Sequence, residues 1–191
     1  MSAKDRVKWN RKYQEKPALL SARPPSPFVA NYYHYAPHNS AIDIACGNGR
    51  HTLFLAQHGF SVDAVEISSV AIESLTKKIT PAMKITPIEA DLDNFEPSNM
   101  YGLAVMTNFL DREVIERIAK SLLPHGVFIV ETYMAHPDNE KTQSNPDFLL
   151  QPKELQMLFK EGFECLAYEE FWNEPHELYR MRKQAIVVRK H

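Results

Sequence analysis

Asp43-Ile44-Ala45-Cys46-Gly47-Asn48-Gly49-Arg50 is the stretch whose reading decides the fold. It grows out of the short apolar run Ala41-Ile42-Asp43-Ile44-Ala45 and brings small residues to a point where the chain must reverse. That combination reads as a buried strand running into a tight turn. Glycine in such a turn tolerates positive φ and lets backbone approach a ligand to van der Waals distance. A helix is expected next, because Thr52 to His58 carries Leu53, Phe54, Leu55 and Ala56 and Gly59 supplies a stop.

Downstream, apolar runs alternate with helical periodicity, the pattern of βαβ units and a mostly parallel sheet. Phe60 to Ile67 is predicted as the second strand, and Ser68 or Ser69 caps a helix to about Lys78. Lys84 to Ala90 is the third strand and Gly102 to Thr107 the fourth. Asp111 caps a helix with Val114, Ile115, Ile118 and Leu122 on one face, and Pro124-His125-Gly126 is predicted to end it. Val127 to Thr132 is the fifth strand. A polar loop from Ala135 to Asp147 leads to a helix over Pro152 to Lys160. The last two strands, Phe163 to Phe171 and Gln184 to Arg189, are joined by a polar connection too short for a crossover helix, so they should pair antiparallel.

Upstream, residues 1–40 are rich in charge, aromatics and proline, and Arg23-Pro24-Pro25-Ser26-Pro27 is a rigid turn that cannot be helical. The chain therefore divides into an N-terminal arm or lid over 1–40 and an α/β domain over 41–191, one structural domain in all. Its 191 residues suit one core rather than two enzymatic domains. Net charge is −2, so no basic excess gathers nucleic acid or anionic lipid. No apolar run reaches the roughly 18 to 20 residues needed to cross a bilayer, and Met1 to Asn10 do not resemble a secretory signal. A soluble cytoplasmic protein, monomer or homodimer, is expected, with no nucleic-acid or membrane partner. Cys46 and Cys165 form neither a CxxC pair nor a disulfide framework, which leaves no zinc site.

The turn only partly meets the dinucleotide fingerprint: Gly47 and Gly49 fit GxGxxG, but Thr52 stands third. Two glycines alone also suit a tight turn with no ligand. Glu66, however, closes the second strand 17 positions after Gly49, where a carboxylate can accept from both hydroxyls of a ribose. Asp91 ends the third strand, positioned to accept from an exocyclic amine. Asp43, Glu66 and Asp91 thus stand in or after the first three strands, at the edge where open α/β sheets bind ligands.

On these residues the chain resembles the class I S-adenosylmethionine-dependent methyltransferases, and within them the small-molecule branch of tellurite-resistance and thiopurine-type enzymes. The resemblance runs from about Trp9 to the C-terminus. It rests on Asp-x-Ala-Cys-Gly-Asn-Gly-Arg at 43–50, Val65-Glu66-Ile67-Ser68, Ala90-Asp91-Leu92, Leu122-Leu123-Pro124-His125-Gly126 and Val187-Val188-Arg189-Lys190. Ala45 departs from the family, many of whose members have glycine there. The resemblance implies a doubly wound, Rossmann-like sheet of seven strands, mostly parallel, with the last strand antiparallel. It implies that Ala45 to Gly49 lie beneath the methionine part of S-adenosylmethionine, that Asp43 orders the loop and that Arg50 meets the cofactor carboxylate. Glu66 would hold the ribose, Ile67 would pack on adenine, Asp91 would accept from its amine and Leu92 would cover the ring. Thr107 and Asn108 would stand beside the sulfonium. Trp9, Asn10 and Tyr13 match arm residues that fold over the cofactor, although Trp9 and Tyr13 equally suit a hydrophobic clip for the arm.

A methyl sulfonium is already activated, so the protein need only align donor and acceptor and exclude water. The chain accordingly lacks a GxSxG elbow, an HExxH motif and a phosphate loop. The acceptor is expected to be a small molecule such as a thiol or chalcogen oxyanion, and the product S-adenosylhomocysteine. In the connection from Asn173 to Arg182, His176 is a candidate base, and Arg180 or Arg182 a candidate anchor for an anionic acceptor. A solvated hairpin connection is the competing reading. His51, Tyr133 and His136 are further pocket candidates. Two rivals remain in other classes: a catalytically silent nucleotide-binding module acting as sensor or partner subunit, and an NAD-linked oxidoreductase, disfavoured by the missing third glycine. Thr107-Asn108-Phe109-Leu110 stands where a nucleic-acid methyltransferase would carry an NPPY-like motif.

Overall fold

The computed structural model describes residues 3–141, 145–173, 177 and 179–191. The chain opens with helix α1 (Ala3–Glu15) and, after the proline-rich stretch, a short helix α2 (Pro27–Tyr32). The α/β unit follows in the order β1 (Ser40–Ile44), α3 (Arg50–Gln57), β2 (Ser61–Glu66), α4 (Ser69–Thr76), β3 (Ile85–Glu89), β4 (Tyr101–Thr107), α5 (Arg112–Lys120) and β5 (Leu122–Tyr133). It ends with α6 (Glu154–Leu158), β6 (Phe163–Trp172) and β7 (Arg182–Lys190).

Among the described residues the strands form one seven-stranded sheet in the order β3-β2-β1-β4-β5-β7-β6. β1 to β5 pair in parallel, and β7 runs antiparallel to both β5 and β6, as expected. Strand order reverses between β1 and β4, which is where a doubly wound sheet opens a crevice at its carboxyl edge. Pro87 sits inside β3 opposite Ala64, and β3 is an outer strand. A residue without an N–H is confined to such a position.

The two faces of the sheet are covered by different helices. On one face Val105, Ile129 and Val187 pack with Val29 and Leu55. On the other, Ala104, Met106, Phe128 and Val130 meet Val114, Ile115 and Ile118 of α5. Continuous burial along β4 reflects this double cover, which is why its sequence reads as an apolar run rather than an alternation.

Three boundaries differ from expectation. Pro124-His125-Gly126 does not end α5; Ser121 caps it and Leu122 already begins β5. The proline and glycine instead build an irregularity inside the strand, where Tyr101 pairs with Leu122 and Leu103 with Val127. His125 has φ of 61° there, and a Cβ on Gly126 would lie 2.8 Å from the Leu123 carbonyl. The helix expected over 152–160 shrinks to Glu154–Leu158, entered through Lys153 at φ 61°. Within the arm, Pro27 begins α2 because Ser26 caps it, its hydroxyl accepting from Val29 N.

Asp111 caps α5 as predicted, one carboxylate oxygen accepting from the backbone N–H groups of Glu113 at 3.0 Å and Val114 at 3.1 Å. Asp111→Ala is expected to lower unfolding free energy by about 1 kcal/mol, read from the urea midpoint at constant slope.

Candidate functional site

The first turn owes its shape to a buried carboxylate. Asp43, fully enclosed near the end of β1, accepts from Thr52 N at 3.0 Å and from the Thr52 hydroxyl at 2.6 Å, tying the strand to the first turn of α3. Between these anchors the chain is left-handed at Ala45 (φ 52°), Gly47 (φ 56°) and Gly49 (φ 83°). Gly49 is also pressed against Leu75, so a side chain there would clash as well as strain. Ala45 adopts the same region with a Cβ, at a cost of about 1 kcal/mol relative to glycine.

Glu66, at the end of β2, faces this turn. Its Oε2 accepts from Gly47 N at 3.0 Å and its Oε1 from Ser68 N at 2.9 Å. Burial pushes its pKa up against the pull of these N–H groups. Each carboxylate oxygen keeps a further lone pair, enough to accept from a vicinal diol.

Helix α1 roofs the crevice. Asn10 Oδ1 accepts from the Ser68 hydroxyl at 2.7 Å, and Asn10 Nδ2 donates to Ser69 Oγ at 3.1 Å, which fixes α1 on the start of α4. Trp9 and Tyr13 pack together with ring centroids 5.7 Å apart. A Cβ on Gly47 would lie 3.2 Å from the Tyr13 hydroxyl, so roof and loop nearly touch. Burial, and then Glu66, keep the Tyr13 phenol protonated by raising its pKa.

The resulting cleft holds about 740 Å³ of empty space, part of it open to solvent. Of the twelve residues expected to hold a cofactor, eight line it: Trp9, Tyr13, Ala45, Gly47, Arg50, Glu66, Ile67 and Thr107. Asp43 and Gly49 act from behind the wall. Asp91 follows β3, where one oxygen accepts from Asp93 N at 3.1 Å, and Leu92 belongs to the core, its side chain 1% exposed; neither is among the cleft's walls.

Sequence reasoning missed Leu19, Arg23 and Phe109, which also line the cleft. Leu19 and Arg23 come from the arm, where only a folded chain brings them to the sheet edge. His51 lines it too, buried beneath the arm: Nε2 accepts from Ser26 N at 3.2 Å, so Nδ1 carries the proton, 3.4 Å from the Thr107 hydroxyl. Burial, with Arg50 and Lys183 nearby, drives the His51 pKa well down, so the ring is neutral.

On the acceptor side the structure brings together a different set from the one expected. Arg182 is not among the cleft's walls; its guanidinium lies 5.4 Å from the Trp172 ring centroid, with Arg180 stacked on the same ring at 3.8 Å and His136 edge-on to it. His176 lies outside the described residues. Next to Thr107 in register stands Glu131, whose carboxylate accepts from the buried Lys183 ammonium at 3.1 Å. Lys183 also donates to Glu177 at 2.7 Å, and the Tyr133 hydroxyl donates to Glu177. The face that is apolar at Val105, Ile129 and Val187 thus turns polar over the last residues of β4 and β5 and the first residues of the antiparallel β7.

Residues 41–126 match the family model of a methyltransferase domain. This part of the chain is similar to a methyltransferase domain. That match spans the turn, Glu66 and the fourth strand, leaving α1 and the C-terminal hairpin outside it. The fold is similar to TehB from Haemophilus influenzae, with 22% identity and a TM-score of 0.76 over 85% of this chain. The chain spans 61% of TehB's length. It is also similar to the glycopeptide N-methyltransferase MtfA in complex with sinefungin, at 18% identity, 87% of each chain and a TM-score of 0.62. An S-adenosylmethionine-dependent methyltransferase from Mesorhizobium loti gives 18% identity, 84% of this chain, 96% of the other and a TM-score of 0.64. These likenesses show the fold. No curated protein matches the chain. No helix among the described residues is long and apolar enough to cross a membrane.

The Asp43 anchor predicts a pH dependence. Burial raises its pKa from 3.8 to about 6, against the Thr52 hydrogen bonds and Arg50. The folded domain therefore holds this proton more tightly than the unfolded chain, and Asp43's contribution to stability falls as pH rises from about 4 to about 6, by about 3 kcal/mol at full effect. Asp43→Asn is expected to flatten that part of the curve in urea unfolding. An identical slope in both proteins would remove Asp43 as its source.

Proposed function

We propose that this chain transfers a methyl group from S-adenosylmethionine to a small-molecule acceptor, a thiol, chalcogen oxyanion or similar nucleophile, by in-line displacement. The observation that carries the reading is the Glu66 carboxylate, held at the cleft by Gly47 N and Ser68 N and flanked by the left-handed loop that the cofactor would cross. Its two oxygens suit the two ribose hydroxyls, and its burial gives those hydrogen bonds weight.

The residues of the cleft fit such a cofactor. Arg50 would supply a cation for the amino-acid carboxylate, and the loop from Ala45 to Gly49, whose first four residues line the cleft, would lie beneath the methionine part. Ile67 would pack against adenine, and Asp91, beyond the cleft's walls, would accept from its amine with Leu92 behind it in the core. Bound there, S-adenosylmethionine would supply an electrophilic methyl group, with the thioether of S-adenosylhomocysteine as the leaving group. Thr107 and Asn108, at the end of β4, line the space beside it, and the neutral His51 holds the Thr107 hydroxyl without adding charge. What the protein contributes is alignment and the exclusion of water. Arg182 is proposed to serve the acceptor from the start of β7, and His176 to take its proton. The arm over 1–40 is proposed as the lid of a single domain, working in the cytoplasm.

Glu66→Ala is expected to weaken S-adenosylmethionine binding by roughly 1.5 to 3 kcal/mol in calorimetry, since a charge-assisted partner is lost. Unchanged affinity would take Glu66 out of the site. The lid role has its own readout: amides from Val7 to Gln14 should exchange more slowly when S-adenosylhomocysteine is added. Equal protection in both states would make the arm a fixed wall.

A further inference from the structure

A second cavity, with about 580 Å³ of empty space, part of it open to solvent, lies across the Asn48–Arg50 loop from the cleft just described. Its apolar walls are Pro25 from the arm and Leu53 and Phe54 from α3. Arg23, Arg50 and Lys78 stand around them, and no carboxylate lines the cavity. None of the three cations makes an ion pair among the described residues. Lys78 is held in place from behind: its ammonium donates to the Asn48 carbonyl at 3.3 Å and reaches the Leu20 carbonyl at 3.5 Å. Those carbonyls belong to the glycine loop and to the arm, so the cation is fixed where the two segments meet.

Three positive charges around an apolar pocket form an incomplete electrostatic set. Each remains partly solvated, and burial already lowers the pKa of Lys78. A ligand that brings one negative charge and a flat apolar body would satisfy both parts at once. A small inorganic anion would leave Leu53 and Phe54 uncovered, and a neutral aromatic would leave the cations without a counter-charge.

We propose that this cavity is a binding site for an organic anion with a compact aromatic or apolar body, its charge held by Lys78 with Arg23 and Arg50. It is separate from the methyl-transfer cleft but contiguous with it, since Arg23, Asn48 and Arg50 line both. The site does not depend on the methyl-transfer reading, because it needs no cofactor to exist.

The test uses the full chain without cofactor, with benzoate as probe and benzyl alcohol as its neutral counterpart, followed by saturation-transfer NMR and equilibrium dialysis. Benzoate should bind and benzyl alcohol should not. Lys78→Gln should weaken benzoate by about five- to tenfold, the loss of one charge-assisted contact, while Lys78→Arg retains it. Thermal melting identifies any variant that has lost its fold, in which case the arginine variant and the benzyl alcohol comparison decide. Absence of benzoate binding, or equal binding of the alcohol, overturns the proposal. So does binding that S-adenosylhomocysteine displaces but Lys78→Gln leaves unchanged, because that places benzoate at Arg50 inside the first cleft. None of these results bears on Glu66, so the methyl-transfer reading stands or falls on its own calorimetry.

Discussion

The contact between Asp43 and Thr52 is the constraint on which the site depends. A carboxylate fully enclosed at the end of a central strand is costly unless both the backbone and a hydroxyl reach it, and Thr52 provides both. This fixes the distance between the end of β1 and the first turn of α3 and leaves the five residues from Ala45 to Gly49 to bridge it. Such a short bridge requires left-handed backbone at three positions, and that backbone turns Gly47 N toward Glu66. Strand, loop and helix are therefore one unit with the carboxylate of the neighbouring strand.

Much of this was legible in the sequence because local chemistry and fold agree. A small-residue turn after an apolar run, Ser68 before a helix, and Asp111 before an amphipathic stretch each announce a structure that needs few distant partners. The sheet's antiparallel end was equally legible, since the connection before β7 has no length for a crossover. What was not legible depends on tertiary context. Pro124 and Gly126 carry the marks of a helix stop, yet they form a bulge because β5 must reach back to pair Leu122 with Tyr101. The helix expected over 152–160 carries an apolar pattern, but only Glu154–Leu158 forms it.

The candidate site shows the same division. Of the eight expected residues that line the cleft, six end or follow strands whose ends define the crevice, and Trp9 and Tyr13 reach it from α1. Leu92 also follows a strand, yet the chain turns inward there and carries the side chain into the core. Leu19 lies in a single 3-10 turn over Pro17–Leu20 and Arg23 in the proline-rich stretch after it, and nothing local tells where such a segment is laid. On the acceptor side, a sequence rich in His and Arg suggested chemistry in the connection, whereas β5 and β7 contribute a buried Lys183 shared between Glu131 and Glu177. Lysine within a strand carries no sign of burial until its partners are seen.

Pro87 has a consequence for how copies of this protein behave toward each other. An outer strand offers unpaired backbone groups on which another chain can grow a sheet. β3 has a break in its row of donors at its third residue, because proline has none to give. At the opposite margin, β6 carries Glu164, Glu169 and Glu170, so two such margins brought together would set acidic side chains against each other. Both borders of the sheet thus resist edge-to-edge growth, one by lacking hydrogen-bond donors and the other by charge. The strands that bound the sheet are thus also the ones least suited to taking on a further strand.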